Sequence, residues 1–103
     1  AIITTDSKPA LLQLIKFLKE NPSCKIRIVG HTDNIGNSYL NRILSLNRAR
    51  AVAKYLVVEG GIAGRRLLAP KGKGGDEPLV RAVDAPGHSR NRRVEVEIVE
   101  VDP

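Results

Sequence analysis

The sequence predicts an α+β sandwich in which two helices pack on one face of a β-sheet. Three observations predict this fold class. Two segments carry apolar residues at three- and four-residue steps, the spacing of amphipathic helices. Other segments alternate apolar and polar residues, as a strand with one buried face does. The resulting order along the chain is helix, strand, helix, strand, strand.

The first predicted helix follows Asp6 and Ser7, either of which can cap it by accepting from free backbone N–H groups. Pro9 lies near the first turn, where its missing N–H is harmless. The apolar face of this helix comprises Leu11, Leu14, Ile15 and Leu18. Asn21 and Pro22 then end the helix.

The next predicted element is a strand from Lys25 to Val29. Its apolar face carries Ile26 and Ile28, and Gly30 closes it. The residues of its other face are Lys25, Arg27 and Val29. We interpret Cys24, just before this strand, as a small buried apolar residue and not as a reactive thiol.

The second predicted helix runs from about Tyr39 to Glu59. Asn37 or Ser38 can cap its start. Gly60 and Gly61 stop it. We expect its core-facing stripe to comprise Leu40, Leu44, Ala51, Val52, Tyr55 and Leu56.

The remaining elements are two strands separated by a turn-rich loop. Arg66 to Ala69 is a short strand candidate, and a flexible loop starts at Pro70. Arg93 to Val101 is the clearest strand, because apolar and charged residues alternate along it. The apolar positions are Val94, Val96 and Ile98, and the charged ones are Arg93, Glu95 and Glu97. Since opposite charges on neighbouring strands are favourable, we expect this acidic face beside Lys25 and Arg27, with the two strands adjacent.

The composition describes one folded domain over residues 1–103, with its motif-bearing part at 25–101. Aromatic residues make up only 3%, which argues against a base-stacking platform for nucleic acid. The net charge of +6 suits an anionic partner such as nucleic acid, a cell-wall polymer or a membrane surface. No apolar run reaches the roughly 18 residues of a membrane-spanning helix. The abrupt start at Ala1 suggests a domain excised from a longer, exported protein.

One arginine is unusual for its position. Arg48 lies four residues after Leu44 and four before Val52, so it belongs to the edge of an apolar stripe. Asn41 points the same way, nearly two turns earlier. A guanidinium near an apolar face needs an acceptor, and Asp33, on the loop before the helix, is a candidate. Two interpretations stay open: a structural ion pair, or two halves of one binding site.

Four motifs follow one another along the chain. They are Gly30-His31-Thr32-Asp33 with Gly36, Asn41 with Leu44-Ser45 and Arg48-Ala49, Gly61-Ile62 with Arg66-Leu67, and Asn91-Arg92-Arg93-Val94-Glu95. In these motifs the chain closely resembles the OmpA-like peptidoglycan-binding domain, which OmpA C-terminal domains, the Pal lipoprotein and flagellar stator proteins share. The resemblance implies a β-α-β-α-β-β sandwich with a mixed sheet, helices on one face, and a first strand that is short or missing here.

The resemblance also implies a ligand. Domains of this family bind noncovalently the diaminopimelate of the peptidoglycan stem peptide. On the matching positions, Asp33 would take the ligand ammonium and Arg48 its carboxylate, a pairing that suits a zwitterionic end. The supporting residues would be Thr32, Ile35, Gly36, Asn41, Leu44 and Arg92.

Other residues near these motifs receive a structural interpretation. We expect Arg93 to point outward with Glu95, and we favour a structural role for His31 over a titrating one.

Two positions depart from the family pattern. Ala82 replaces an asparagine, and His88 replaces an arginine, which predicts altered loop packing with binding retained.

The favoured function is therefore a noncatalytic anchor, without cofactor or metal. Cys24, His31 and His88 lie in no motif of a nucleophile, a base or a metal cluster. The alternatives are a basic nucleic-acid-binding domain and a cell-wall hydrolase. The resemblance implies a periplasmic location in a Gram-negative envelope. The parent, a porin, lipoprotein, stator or secretion component, would be tethered to the outer membrane, or to the inner membrane if it is a stator.

Overall fold

The structure, a computed structural model, describes residues 2–4, 8–32, 36–75 and 93–101. The elements in chain order are β1 (Ile2–Thr4), α1 (Lys8–Glu20), β2 (Cys24–His31), α2 (Ser38–Val58), β3 (Lys71–Gly72) and β4 (Arg93–Val101). A short 3₁₀ helix, Gly64–Arg66, lies between α2 and β3. The predicted α+β class and the order β-α-β-α-β-β are confirmed, and the first strand is present but short.

The four strands form one mixed sheet in the order β1-β4-β2-β3. Strand β4 lies antiparallel to both β1 and β2, whereas β3 runs parallel to β2. The expected adjacency of β2 and β4 is confirmed, and Arg27 lies opposite Glu97. Opposite charges at facing positions stabilise this register.

One hydrophobic core lies between the sheet and the two helices. The sheet contributes Ile26 and Ile28 from β2 and Val94 and Val96 from β4, all at most 2% exposed. The helices contribute Leu11, Leu14, Ile15 and Leu18 from α1, and Ala49, Val52 and Leu56 from α2. Because residues of both helices contact the same core, both helices cover one face of the sheet, as the sequence predicts. Cys24 is buried, in agreement with its interpretation as a small apolar residue.

Helix α1 ends where expected, but the segment after α2 differs from the prediction. Residues 66–69 form no strand: Leu67 makes a single bridge to Ile26, and the short β3 lies further along. The reason is that Arg66 closes the 3₁₀ turn, with its backbone N–H donating to the Ala63 carbonyl oxygen at 3.0 Å. Its guanidinium donates to the carbonyl oxygens of Leu18 in α1 and of Cys24 at the start of β2. The capping residues expected for the start of α1, Asp6 and Ser7, lie outside the described residues.

The bounds of α2 agree with the prediction within one residue. Asn37 is the cap, with its Oδ1 accepting from the Leu40 backbone N–H at 3.1 Å. Past the end of α2, Gly61 has a φ of 68°, which favours glycine.

The expected core-facing stripe of α2 is wrong in its first half. Leu40, Leu44 and Ala51 are exposed, and the buried residues are Ser45, Ala49, Val52 and Leu56. The cause is close packing of the helix on the sheet. A Cβ on Gly30 would lie 2.0 Å from the carbonyl oxygen of Ser45, and one on Gly72 would lie 2.3 Å from the Leu46 nitrogen. Backbones this close leave room for small side chains only, so Leu40 and Leu44 face outward.

Candidate functional site

The first side of the candidate site is the segment that leaves β2. His31 ends the strand, and Thr32, buried at 8% exposure, follows it. The backbone N–H of Thr32 donates to the carbonyl oxygen of Gly74 at 2.8 Å, which attaches the start of the loop to the turn after β3. Asp33 and Ile35 lie outside the described residues. Gly36, at the other end of the loop, is exposed with a φ of 91°, a conformation that L side chains rarely adopt.

The second side is the flank of α2 that carries Asn41 and Arg48. Both are half-buried, and both lie within roughly 60° of Ser45 around the helix axis. Arg48 is therefore at the border between the core and the surface, as the sequence predicts. Leu44, one turn before Arg48, is 60% exposed and adds apolar surface beside it. The structure thus places Asn41, Leu44 and Arg48 together on one side of the helix.

Strands β2 and β3 are held close to α2 by direct backbone packing. Gly30 lies against the Ser45 carbonyl, and Gly72 lies against the backbone of Arg42 and Leu46. The absence of a side chain at both glycines lets β2 and β3 approach α2 closely. Since Thr32 follows β2 directly and Arg48 lies one turn beyond Ser45, this contact sets how far apart the two sides of the site are.

The surface of α2 near the site is apolar and basic. Tyr39, Leu40, Ile43 and Leu44 are exposed at 70%, 55%, 38% and 60%. Along its whole length the helix carries four basic residues, Arg42, Arg48, Arg50 and Lys54, and no acidic one. The helix therefore contributes positive charge beside the candidate site.

The face of the sheet opposite the helices holds a largely buried charged cluster of Arg93, Glu95 and His31. Arg93 lies on the same face as Glu95, as predicted, but it is buried at 6% exposure and does not face solvent. Its Nε donates to Glu95 Oε1 at 2.7 Å. His31 is fully buried, with its Nε2 3.5 Å from Glu95 Oε2. A buried guanidinium needs such a partner. The structural role of His31 stays a prediction.

Three residues expected at the site lie outside the described part of the chain, and two residues that the structure makes prominent were not predicted. Arg92 lies outside the described residues, like Asp33 and Ile35. The pairing of Arg93 with Glu95 was not predicted, although their i, i+2 spacing on one strand places them on one face. No role was predicted for Ser45, a polar residue at a position where α2 is buried.

A metal centre and a membrane span each have their own structural requirements. Among the residues that the structure describes, no cluster of three or more His, Cys, Asp or Glu side chains is arranged to hold a metal ion. The two helices described here also lack the combination of length and apolar character that crossing a bilayer requires.

The chain is similar to known proteins over most of its length. A family model described as the OmpA family matches residues 1–92. Outer membrane porin F of Pseudomonas aeruginosa is 38% identical over 96 residues, which cover 93% of this chain and 27% of that protein. The peptidoglycan-binding protein ArfA of Mycobacterium tuberculosis is 40% identical over 79 residues, which cover 77% of this chain and 24% of that protein. This chain thus spans about a quarter of the length of these curated relatives.

A solved structure agrees with the sequence relatives. The peptidoglycan-associated lipoprotein of Burkholderia pseudomallei superposes with a TM-score of 0.72 at 29% identity, over 89% of this chain and 79% of that chain. Relatives found in these comparisons are named as outer-membrane proteins, lipoproteins and peptidoglycan-binding proteins, and they are not named as enzymes. The matched motifs, the strand order and the family model lead to one conclusion: this chain belongs to the OmpA family.

Proposed function

We propose that this domain binds peptidoglycan noncovalently through the diaminopimelate of the stem peptide. In this proposal Asp33 accepts from the ammonium group of the ligand, and Arg48 donates to its carboxylate. The observation that carries the proposal is the half-buried Arg48 on the flank of α2, with Asn41 on the same flank. The names of two relatives, a peptidoglycan-binding protein and a peptidoglycan-associated lipoprotein, support the ligand class.

The chemistry of the ligand matches these groups. The free end of diaminopimelate carries an ammonium and a carboxylate on one carbon, so it needs one anion and one cation held close together. Arginine suits the carboxylate because its planar guanidinium can donate two parallel hydrogen bonds. Half-burial strengthens such a contact, since charges interact more strongly where water is partly excluded. Asn41 is close enough along the helix face to add a polar contact, and Leu44 to cover the aliphatic chain of the ligand.

A domain with this site would act as an anchor and not as a catalyst. Binding a stem peptide in place requires no nucleophile or general base, and the supporting residues Thr32, Gly36 and Asn41 are suited to hydrogen bonding alone. We propose a periplasmic location, in which the domain holds an outer-membrane or other envelope protein to the cell wall. The relatives that are outer-membrane proteins and lipoproteins support this placement.

The test is a pull-down on purified peptidoglycan with four proteins. Wild type and Arg50→Ala are expected to bind, because Arg50 is exposed on the same helix and lies outside the site. Asp33→Ala and Arg48→Ala are expected to remain in the supernatant while keeping the circular dichroism spectrum of wild type. Binding by both folded variants at the wild-type level would refute the site. Release of soluble wall fragments during incubation would refute the noncatalytic role.

A further inference from the structure

Ser45 is a polar residue at a position where α2 faces the interior. The other three buried residues of this helix are Ala49, Val52 and Leu56, and the Ser45 side chain is fully buried beside them. A buried hydroxyl is unfavourable unless it forms hydrogen bonds. Alanine would also favour the helix more than serine does. The serine therefore needs an explanation other than helix formation or core packing.

The hydroxyl of Ser45 joins the helix to a distant turn. Its Oγ donates to the carbonyl oxygen of Arg42 at 2.9 Å, within α2. The same Oγ accepts from the backbone N–H of Gly74 at 2.9 Å, a buried hydrogen bond between residues 29 positions apart. One hydroxyl can do both, because it carries one donor and two acceptor lone pairs. The turn after β3 is thus bonded directly to the interior side of α2.

The turn after β3 also holds the start of the loop that follows β2. The carbonyl oxygen of Gly74 accepts from the Thr32 N–H at 2.8 Å, and Lys73 N–H donates to the Gly30 carbonyl oxygen at 3.0 Å. Gly74 has a φ of 57°, and a Cβ there would lie 3.2 Å from Arg42 atoms. The turn is therefore confined between β2 and α2. A continuous path of hydrogen bonds runs from α2 through Ser45 and Gly74 to Thr32.

The two ends of this path are the two sides of the proposed site. Thr32 is bonded covalently to Asp33, and Ser45 lies three residues, just under one helical turn, before Arg48. We infer that Ser45 is a positioning residue, which through Gly74 fixes Thr32, the residue before the loop aspartate, relative to the helix that carries Arg48. This inference rests on the proposed function, since it assigns Ser45 to the same site. Ser45 itself does not contact the ligand.

The test compares Ser45→Ala with Val52→Ala, a matched control on the same buried stripe that removes core packing without touching the turn. The probe is a diaminopimelate-containing stem tripeptide, titrated by calorimetry well below both melting temperatures. Ser45→Ala is expected to bind the tripeptide about tenfold or more weakly. A small displacement of the protein groups that bind the two charges of the ligand weakens both contacts. Val52→Ala is expected to keep wild-type affinity despite its lower melting temperature.

A second measurement follows the path itself. Amide hydrogen exchange at Thr32 and Gly74 is expected to accelerate in Ser45→Ala and not in Val52→Ala, beyond the change due to global stability. Should Ser45→Ala not fold, Gly74→Ala tests the same path from the turn, because alanine is strained at this φ. It is also expected to bind more weakly than wild type.

The outcomes separate this inference from the proposed function. If folded Ser45→Ala, or Gly74→Ala in its place, binds like wild type while Asp33→Ala and Arg48→Ala do not, the positioning role is wrong and the site stands. If Asp33→Ala and Arg48→Ala bind like wild type as well, the proposed function fails. Equal loss of affinity in Ser45→Ala and Val52→Ala would reduce Ser45 to a general stabilising residue and overturn the inference.

Discussion

Arg66 Nη2 donates to the carbonyl oxygen of Leu18 at 2.8 Å, although the two residues are 48 positions apart in the chain. The same guanidinium donates to the carbonyl oxygens of Asn21 and Cys24. The Leu18 and Asn21 carbonyls lie at the end of α1, where a helix leaves acceptors without intrahelical partners and carries partial negative charge. The Cys24 carbonyl lies at the start of β2. Arg66 thus stabilises the connection between α1 and β2.

Arg66→Ala is expected to lower the free energy of unfolding by about 3 kcal/mol, because hydrogen bonds from a charged donor are lost at three carbonyls. Urea denaturation followed by circular dichroism measures this change. Arg65→Ala is the matched control, since Arg65 lies in the same 3₁₀ turn but is exposed, and its effect should stay within about 0.5 kcal/mol. Equal effects of the two substitutions would contradict the capping role.

Gly30→Ala is expected to destabilise the protein by about 3 kcal/mol or to prevent folding. The new Cβ would lie 2.0 Å from the Ser45 carbonyl oxygen, and neither backbone can move without separating α2 from β2. Gly64→Ala is the control, because a Cβ there meets no atom within 4 Å. Thermal unfolding of both variants checks the prediction. A Gly30→Ala variant with a wild-type melting temperature would show that the helix does not pack this closely.

Glu95→Gln is expected to lower the free energy of unfolding by about 3 kcal/mol, because it leaves the buried Arg93 without its carboxylate. Glu20→Gln removes an exposed ion pair with Lys16 and should change stability by about 0.5 kcal/mol or less. Chemical denaturation of both variants, in one buffer, compares the two pairs. Similar effects would mean that the 2.7 Å contact between Arg93 and Glu95 contributes no more than a surface pair.

Leu44→Ala is expected to weaken binding to peptidoglycan while leaving the stability of the protein nearly unchanged. Leu44 is 60% exposed, so its loss should change the free energy of unfolding by about 0.5 kcal/mol or less. Leu56→Ala, at a fully buried position of the same helix, should lower it by about 3 kcal/mol. Denaturation of both variants, with peptidoglycan pull-down of Leu44→Ala, provides the measurement. Weakened binding at unchanged stability would support a ligand contact. A large loss of stability would show that Leu44 faces the core.

The sequence predicts this fold well where local patterns decide the structure. The bounds of β4 agree with the prediction because Val94 and Val96 alternate with charged residues. The start of α2 agrees because Asn37 is a strong cap. The prediction fails where distant backbones meet. The inward direction of Ser45 depends on the glycines of two strands, which no periodicity within α2 reveals.

The candidate site was predictable only where local motifs define it. Thr32, Asn41 and Arg48 belong to motifs that can be recognised in the sequence, and the structure places Asn41 and Arg48 on one flank of α2. The links that hold these elements together join residues far apart in the chain, such as Ser45 with Gly74. Pairings of this kind follow from the strand order, so they become visible only in the folded chain.

The recognition of a zwitterionic diaminopimelate end is tested most directly by exchanging the ligand. A stem peptide with lysine in place of diaminopimelate keeps the ammonium group and lacks the carboxylate that Arg48 is proposed to bind. Calorimetric titration should show wild type binding the diaminopimelate peptide about 10- to 100-fold more tightly than the lysine peptide, and Arg48→Ala binding both with similar, weak affinity. Equal binding of both peptides by wild type would contradict the proposal that Arg48 reads this carboxylate.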